Sequence, residues 1–250
     1  GRIIAIANQK GGVGKTTTAV NLSACLAAAG KKTLLVDLDP QGNATQGVGL
    51  DKNAQTSTVY DAIANGTAAG HIIATEMENL HVLPANRELA GAEVELVEAE
   101  QREFRLREAL APVAGDYDYI FIDSPPSLGL LTLNGLVAAE GILITLQCEY
   151  YALEGLSALL QTIMLVRDKL NPNLAVSGVL LTMYQHTNLA KQVIEDVRAH
   201  LGDKVFKTVI PRNVTLSEAP SFGQPVIYYD LKSQGAQSYM ALARELIARG

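Results

Sequence analysis

Gln9-Lys10-Gly11-Gly12-Val13-Gly14-Lys15-Thr16-Thr17 follows the apolar run Ile3-Ile4-Ala5-Ile6-Ala7 and precedes an Ala- and Leu-rich segment, Ala19 to Ala29. The run reads as a buried strand and the segment as a helix. Strand, glycine loop and helix in this order form a phosphate cradle. Glycines let backbone N–H groups converge on an anion with no Cβ in the way. The helix behind them adds the positive end of its dipole. In such a loop Lys15 supplies a point charge to the β- and γ-phosphates, and the Thr16 hydroxyl is placed to ligate Mg2+.

The loop departs from the usual G-x-x-x-x-G-K-[ST] pattern. Gln9 stands where the first glycine is expected, and a second lysine, Lys10, sits inside the turn. Two lysines flanking one short turn exceed what a single triphosphate normally takes from its own loop. Lys10 is either a solvated loop lysine or reaches a nucleotide, its own or that of a second subunit. Spacing leaves these readings open.

At 250 residues the chain is long enough for one α/β domain with a substantial core, and no Pro/Gly/Ser-rich stretch marks a linker. A single domain over 1–250 is expected. Apolar residues make up 48% of the chain, yet no run approaches the roughly 18 consecutive apolar residues of a membrane span. No cationic leader with an apolar centre opens the sequence, so a cytoplasmic protein is expected. Cys25 and Cys148 lack a metal-site spacing and read as small hydrophobes in a reducing compartment. The net charge of −6 argues against a generally basic nucleic-acid binder. The charge is uneven, however: residues 191–250 hold 8 Lys/Arg against 6 Asp/Glu, while residues 1–190 hold 12 against 20.

Strand-like runs occur at Ile3–Ala7, Thr33–Asp37, Leu80–Leu83, Tyr119–Asp123, Ile142–Leu146, Val176–Thr182 and Thr208–Ile210. Helical patterns fall near 16–29, 87–111, 128–138, 152–170, 189–201 and 235–248. Continuous apolar strands alternating with helices specify an α/β fold, a mostly parallel twisted sheet flanked by helices on both faces. Within the third gap, Arg87 to Glu108 carries seven glutamates and four arginines with Leu89, Val94, Leu96, Val97 and Phe104 interleaved. It reads as an amphipathic surface helix.

In such sheets ligands bind beyond the carboxyl ends of the strands, and several strands here end in acids. Tyr119-Ile120-Phe121-Ile122-Asp123 is four apolar residues closing on Asp, the Walker B pattern in which the acid holds Mg2+, commonly through a water. Leu34-Leu35-Val36-Asp37-Leu38-Asp39-Pro40 ends another strand in two carboxylates. Pro40 makes Asp39 a loop residue and the better candidate to orient or deprotonate an attacking water. Asp37 reads as a helper near the metal or as a plain strand-end residue.

Lys10-Gly11-Gly12-Val13-Gly14-Lys15-Thr16-Thr17 resembles the deviant Walker A motif of the ParA/MinD class of P-loop ATPases. Within that class the chain is similar to the small chromosomal ParA proteins, also called Soj. The likeness runs through Val36–Thr45, Ile122–Leu128, Cys148–Gly155, Ile210–Val214 and Ser217–Pro220, and so covers residues 2 to 248. It implies an ATP-dependent homodimer in which two subunits enclose two ATP molecules, and Lys10 crosses to the partner's phosphates. It implies that Gly11, Gly12, Val13, Gly14, Lys15, Thr16 and Thr17 hold the phosphates, with Thr16 on Mg2+. Asp39 then positions the hydrolytic water in the metal's neighbourhood, Asp123 supports the metal, and Pro211 and Asn213 line the adenine. The implied cycle is non-specific DNA binding by the ATP dimer and release when a ParB-type centromere-binding partner stimulates hydrolysis. That places the protein on the nucleoid. Because the sequence opens at its first strand, the extra N-terminal DNA-binding domain of large plasmid ParA proteins is not expected.

The C-terminal part departs from the family pattern. Thr215, Gln224, Gln234 and the stretch Met183–Asn188 stand where relatives often carry basic residues. Lys191, Arg198, Lys204, Lys207, Arg212 and Lys232 remain as DNA-contact candidates. Each neutralised phosphate steepens the salt dependence, with a slope of about −0.9 per contact, so weakened DNA binding is expected. Three rival readings share parts of the pattern. A MinD-like membrane switch needs a cationic amphipathic anchor, and Ser238 to Arg249 offers only Arg244 and Arg249 as cations. No stable membrane anchor is therefore expected. A cluster-bearing redox protein needs cysteines shared across a dimer, which Cys25 and Cys148 do not offer. A positioning ATPase for a non-DNA cargo uses the same core.

Overall fold

The computed structural model describes residues 1–8 and 10–250. Gln9, and with it the departure at the loop's first position, lies outside the described residues. The strands are β1 (Arg2–Ala7), β2 (Thr33–Asp37), β3 (Ile73–Ala74), β4 (Leu80–Leu83), β5 (Tyr119–Asp123), β6 (Gly141–Gln147), β7 (Ala175–Tyr184) and β8 (Val205–Pro211). The helices are α1 (Lys15–Ala28), α2 (Asn43–Gly47), α3 (Val59–Asn65), α4 (Leu89–Glu95), α5 (Arg105–Leu110), α6 (Leu130–Ala138), α7 (Ala152–Lys169), α8 (Asn188–Leu201), α9 (Val214–Glu218), α10 (Val226–Tyr229) and α11 (Gln234–Ala248).

The strands form one sheet in the order β3-β4-β2-β5-β1-β6-β7-β8. Every pairing is parallel except that of the two-residue β3 with β4. Side chains alternate across the pleat: Ile4 and Ile6 enter the core on the face of α1 and α11, while Ala5 and Ala7 enter the opposite core. Helix α1 is buried on almost every side, and its buried polar residues Thr18 and Asn21 are hydrogen-bonded. The chain leaves β1 in one direction towards β2 and later fills the gap between them with β5. That reversal opens a crevice at the carboxyl ends of β1, β2 and β5, where Asp37 and Asp123 stand side by side in register.

The expected helix over 87–111 is broken. Helix α4 and a short 3-10 turn end at Ala99, which is extended; Gln101 has φ 51, and α5 starts at Arg105. A side chain from a neighbouring helix causes the break. Asn134 accepts from the Leu106 N–H at 3.1 Å and donates to the Arg102 carbonyl at 2.9 Å. It thereby takes backbone partners that a continuous helix would use. Leu89 is buried, but Val94 and Val97 are exposed, so the stretch does not present one apolar face. Helices α2, α3, α9 and α10 and strand β3 fall where no element is expected.

Candidate nucleotide-binding site

The loop after β1 is pinned from both sides. Asn8 donates to the Thr145 carbonyl and its Oδ1 accepts the Lys10 N–H at 3.0 Å. Across the sheet, Thr182 on β7 donates its hydroxyl to the Val13 carbonyl at 3.0 Å. Gly12 and Gly14 have φ 71 and 83, torsions that a residue with a Cβ rarely adopts. Gly14 is the N-cap of α1 and offers no side-chain cap, so the first-turn N–H groups stay available to an anion.

Lys15 curls back over the loop and donates from Nζ to the Lys10 carbonyl at 2.9 Å. Burial lowers its pKa, against the pull of Asp123 and Asp39, which raise it. Thr16, one residue on, donates its hydroxyl to Asp123 Oδ2 at 2.8 Å. Asp123 is fully buried, and its Oδ1 has no hydrogen-bond partner among the described residues. Burial raises its pKa well above the usual carboxylate range, with Asp37 and Asp39 adding repulsion and Thr16 and Lys15 opposing it. An orphaned carboxylate oxygen beside a threonine hydroxyl suits a divalent cation, which would offset that desolvation.

Asp39 is nearly buried, and its Oδ1 accepts the Gln41 N–H at 2.9 Å across Pro40. Asp37 is fully buried, its bonds go to the following loop, and burial raises its pKa to about 6. Lys10, by contrast, is exposed and its Nζ forms an ion pair with Glu149 at the start of the segment leading into α7. Gly11 lies against Pro126.

Beyond Gly14 a cavity of about 630 Å3 opens, lined by Thr17, Thr182, Met183, Pro211 and Asn213. Asn213 Oδ1 is buried without a hydrogen-bond partner among the described residues. Pro211 and Asn213 thus face the same space as the start of α1. The six basic candidates do not converge. Arg198 donates to the Lys207 carbonyl at 3.2 Å, joining those two at the sheet edge. Lys204 and Arg212 flank opposite ends of β8, and a strand advances roughly 3.3 Å per residue. All six side chains are exposed. Missed by sequence reasoning was Glu149; no spacing rule links it to Lys10, 139 positions away.

A family model described as an AAA domain matches residues 1–176. Over 251 residues the chain is 59% identical to the chromosome partitioning protein ParA of Myxococcus xanthus, covering 100% of this chain and 89% of that protein. It is 59% identical over 252 residues to the sporulation initiation inhibitor protein Soj of Bacillus subtilis, covering 100% of each. Among solved structures, cobyrinic acid a,c-diamide synthase from Mycobacterium smegmatis with bound ADP and magnesium superposes with a TM-score of 0.85 at 39% identity. That match covers 98% of this chain and 94% of the other.

Proposed function

This chain belongs to the ParA/Soj family of chromosome-partitioning ATPases, and on that premise we propose that it is an ATP-driven dimerisation switch that carries DNA in segregation. It is an ATPase with ATP and Mg2+ as its substrate pair. The observation that carries the site assignment is the meeting of Lys15, Thr16 and the orphaned oxygen of Asp123 at the mouth of a glycine loop.

The residues divide the work as follows. Backbone N–H groups from Gly11 to Thr17 receive the phosphates, and Lys15 exchanges the Lys10 carbonyl for phosphate oxygen. Thr16 and Asp123 hold the metal side. Among the described residues no group of three or more His, Cys, Asp or Glu converges on a cation position, so most ligands come from phosphate and water. When bound, Mg2+ neutralises charge on the β- and γ-phosphates. Asp39 orients the attacking water. Pro211 and Asn213 receive the base, with the unpartnered Oδ1 of Asn213 as an acceptor. Lys10 serves a second subunit's nucleotide: its pair with Glu149 is solvent-exposed, and such pairs contribute little, so it releases readily.

DNA binding by the dimer, stimulation by a ParB-type partner and location on the nucleoid are part of this proposal, supported by the likeness to partitioning proteins. Thr215, Gln224 and Gln234, standing where relatives often carry basic residues, favour weak, salt-sensitive retention. No described helix is long and apolar enough to cross a membrane. The apolar residues Leu242 and Leu246 of α11 are spent in the core, which leaves little for a lipid anchor.

Asp39→Ala tests the reading. With ATP the variant should elute as a dimer on gel filtration and turn over poorly, and that dimer should retain DNA at low salt. Normal turnover would move the water-positioning role elsewhere. A stable ATP dimer with no DNA retention at low salt would favour a cargo other than DNA.

A further inference from the structure

Both oxygens of Asp37 are occupied, and by the two ends of one loop. Oδ1 accepts the Asp39 N–H at 3.2 Å. Oδ2 accepts the Thr45 N–H at 2.8 Å and the Thr45 hydroxyl at 2.7 Å. Thr45 lies in the first turn of α2, whose N-cap is Gly42 in the left-handed region with no side chain to cap the helix. The Asp37 carboxylate therefore does the capping from the preceding strand, satisfying an N–H that the helix itself cannot. The Thr45 oxygen in turn accepts the Ala85 N–H at 3.0 Å, tying the same point to the end of β4. Asp37, Thr45 and their mutual bonds are fully buried.

We propose that Asp37 is a positioning residue: it clamps the loop from Leu38 to Ala44 at both ends and so fixes where Asp39 points. The idea rests on Asp39 acting on the attacking water, as inferred above. Both oxygens of Asp37 accept bonds from this loop, which separates it from Asp123, whose Oδ1 has no partner among the described residues. An asparagine at this position has one acceptor oxygen for three donors, and its amide N–H2 would confront an N–H. One loop end must then let go.

The test uses the full chain with ATP and Mg2+. Asp37→Asn and Thr45→Val should each lower kcat by about ten- to a hundredfold, the scale of a small misplacement at a reacting centre. KM for ATP and the Mg2+ concentration giving half-maximal rate should stay at their wild-type values. Thr45→Ser, which restores the hydroxyl, should recover most of the rate lost in Thr45→Val. Hydrogen exchange at the Asp39 and Thr45 amides should accelerate in Asp37→Asn.

Wild-type kcat in Thr45→Val, together with a raised Mg2+ requirement in Asp37→Asn, would overturn the proposal and make Asp37 a metal-side group. Unchanged exchange at both amides would overturn it whatever the rates. Normal turnover in Asp39→Ala would instead remove the role given to Asp39, and the exchange data would still decide whether Asp37 holds the loop.

Discussion

Lys15 shows how far one side chain depends on its setting. It is buried, its pKa is lowered by that burial, and among the described residues its ammonium donates to a backbone carbonyl. Replacing that neutral acceptor with phosphate adds an opposite charge on the acceptor side of a bond whose donor is already ionised. Lys15→Ala should therefore weaken ATP binding by about 2–3 kcal/mol, roughly 30- to 150-fold, read by titration calorimetry. Lys10→Ala should behave differently. Its ammonium is exposed and points to Glu149, so monomer affinity for ATP should persist while the ATP dimer disappears from gel filtration. A dimer of undiminished stability in that variant would return Lys10 to the status of a solvated loop lysine. That Lys15, Thr16 and Asp123 come together was legible in the sequence because glycine torsions and strand ends are local features. The work of Asp37 was not, since its partner Thr45 is eight positions away and its role depends on a cap that Gly42 lacks.

Among the elements, strand β8 has the most to protect, because it lies at the edge of the sheet, where unpaired N–H groups invite another chain. Glu245 on α11 covers them. Its carboxylate accepts the Lys207 N–H at 2.7 Å, the Thr208 N–H at 3.0 Å and the Thr208 hydroxyl at 2.9 Å, and pairs with Arg249. Partial burial pushes its pKa up, but these donors outweigh it and hold the carboxyl below its ordinary value. A depressed acid stabilises the fold above its unfolded pKa and loses that contribution as the pH falls through the folded value. Thermal unfolding should thus show a loss on acidification below the ordinary value of 4.5 that is absent from Glu245→Gln. At neutral pH the variant should melt lower, by about 1–3 kcal/mol of lost bonding, and aggregate more readily. Thr58→Ala should cost about 1 kcal/mol through the cap of α3. That capping box, Thr58 with Asp61, was a readable signal for a helix not expected there. The break between α4 and α5 was not readable, because it is imposed by Asn134 from across a helix interface.

Over the whole molecule, the alternation of strands and helices was enough to predict a parallel sheet with two covered faces. The strand order was beyond reach, since periodicity does not say that β5 inserts between β1 and β2. That Pro211 and Asn213 belong with the glycine loop was suggested only by family likeness, because they come to line one cavity with Thr17 through the fold and not through spacing. One contact has a bearing on how the protein is made. Thr18, in the turn that follows the glycine loop, shares a buried hydrogen bond of 3.0 Å with Tyr239, 221 positions later. Asn21 likewise accepts the Val226 N–H at 2.7 Å, across 205 positions. During translation α1 leaves the ribosome early, but the segment that seals it follows all eight strands. Contacts of such separation form late and fold slowly. A nascent chain therefore has to hold its first helix unsealed through most of its own synthesis, and it becomes competent for nucleotide only near the end.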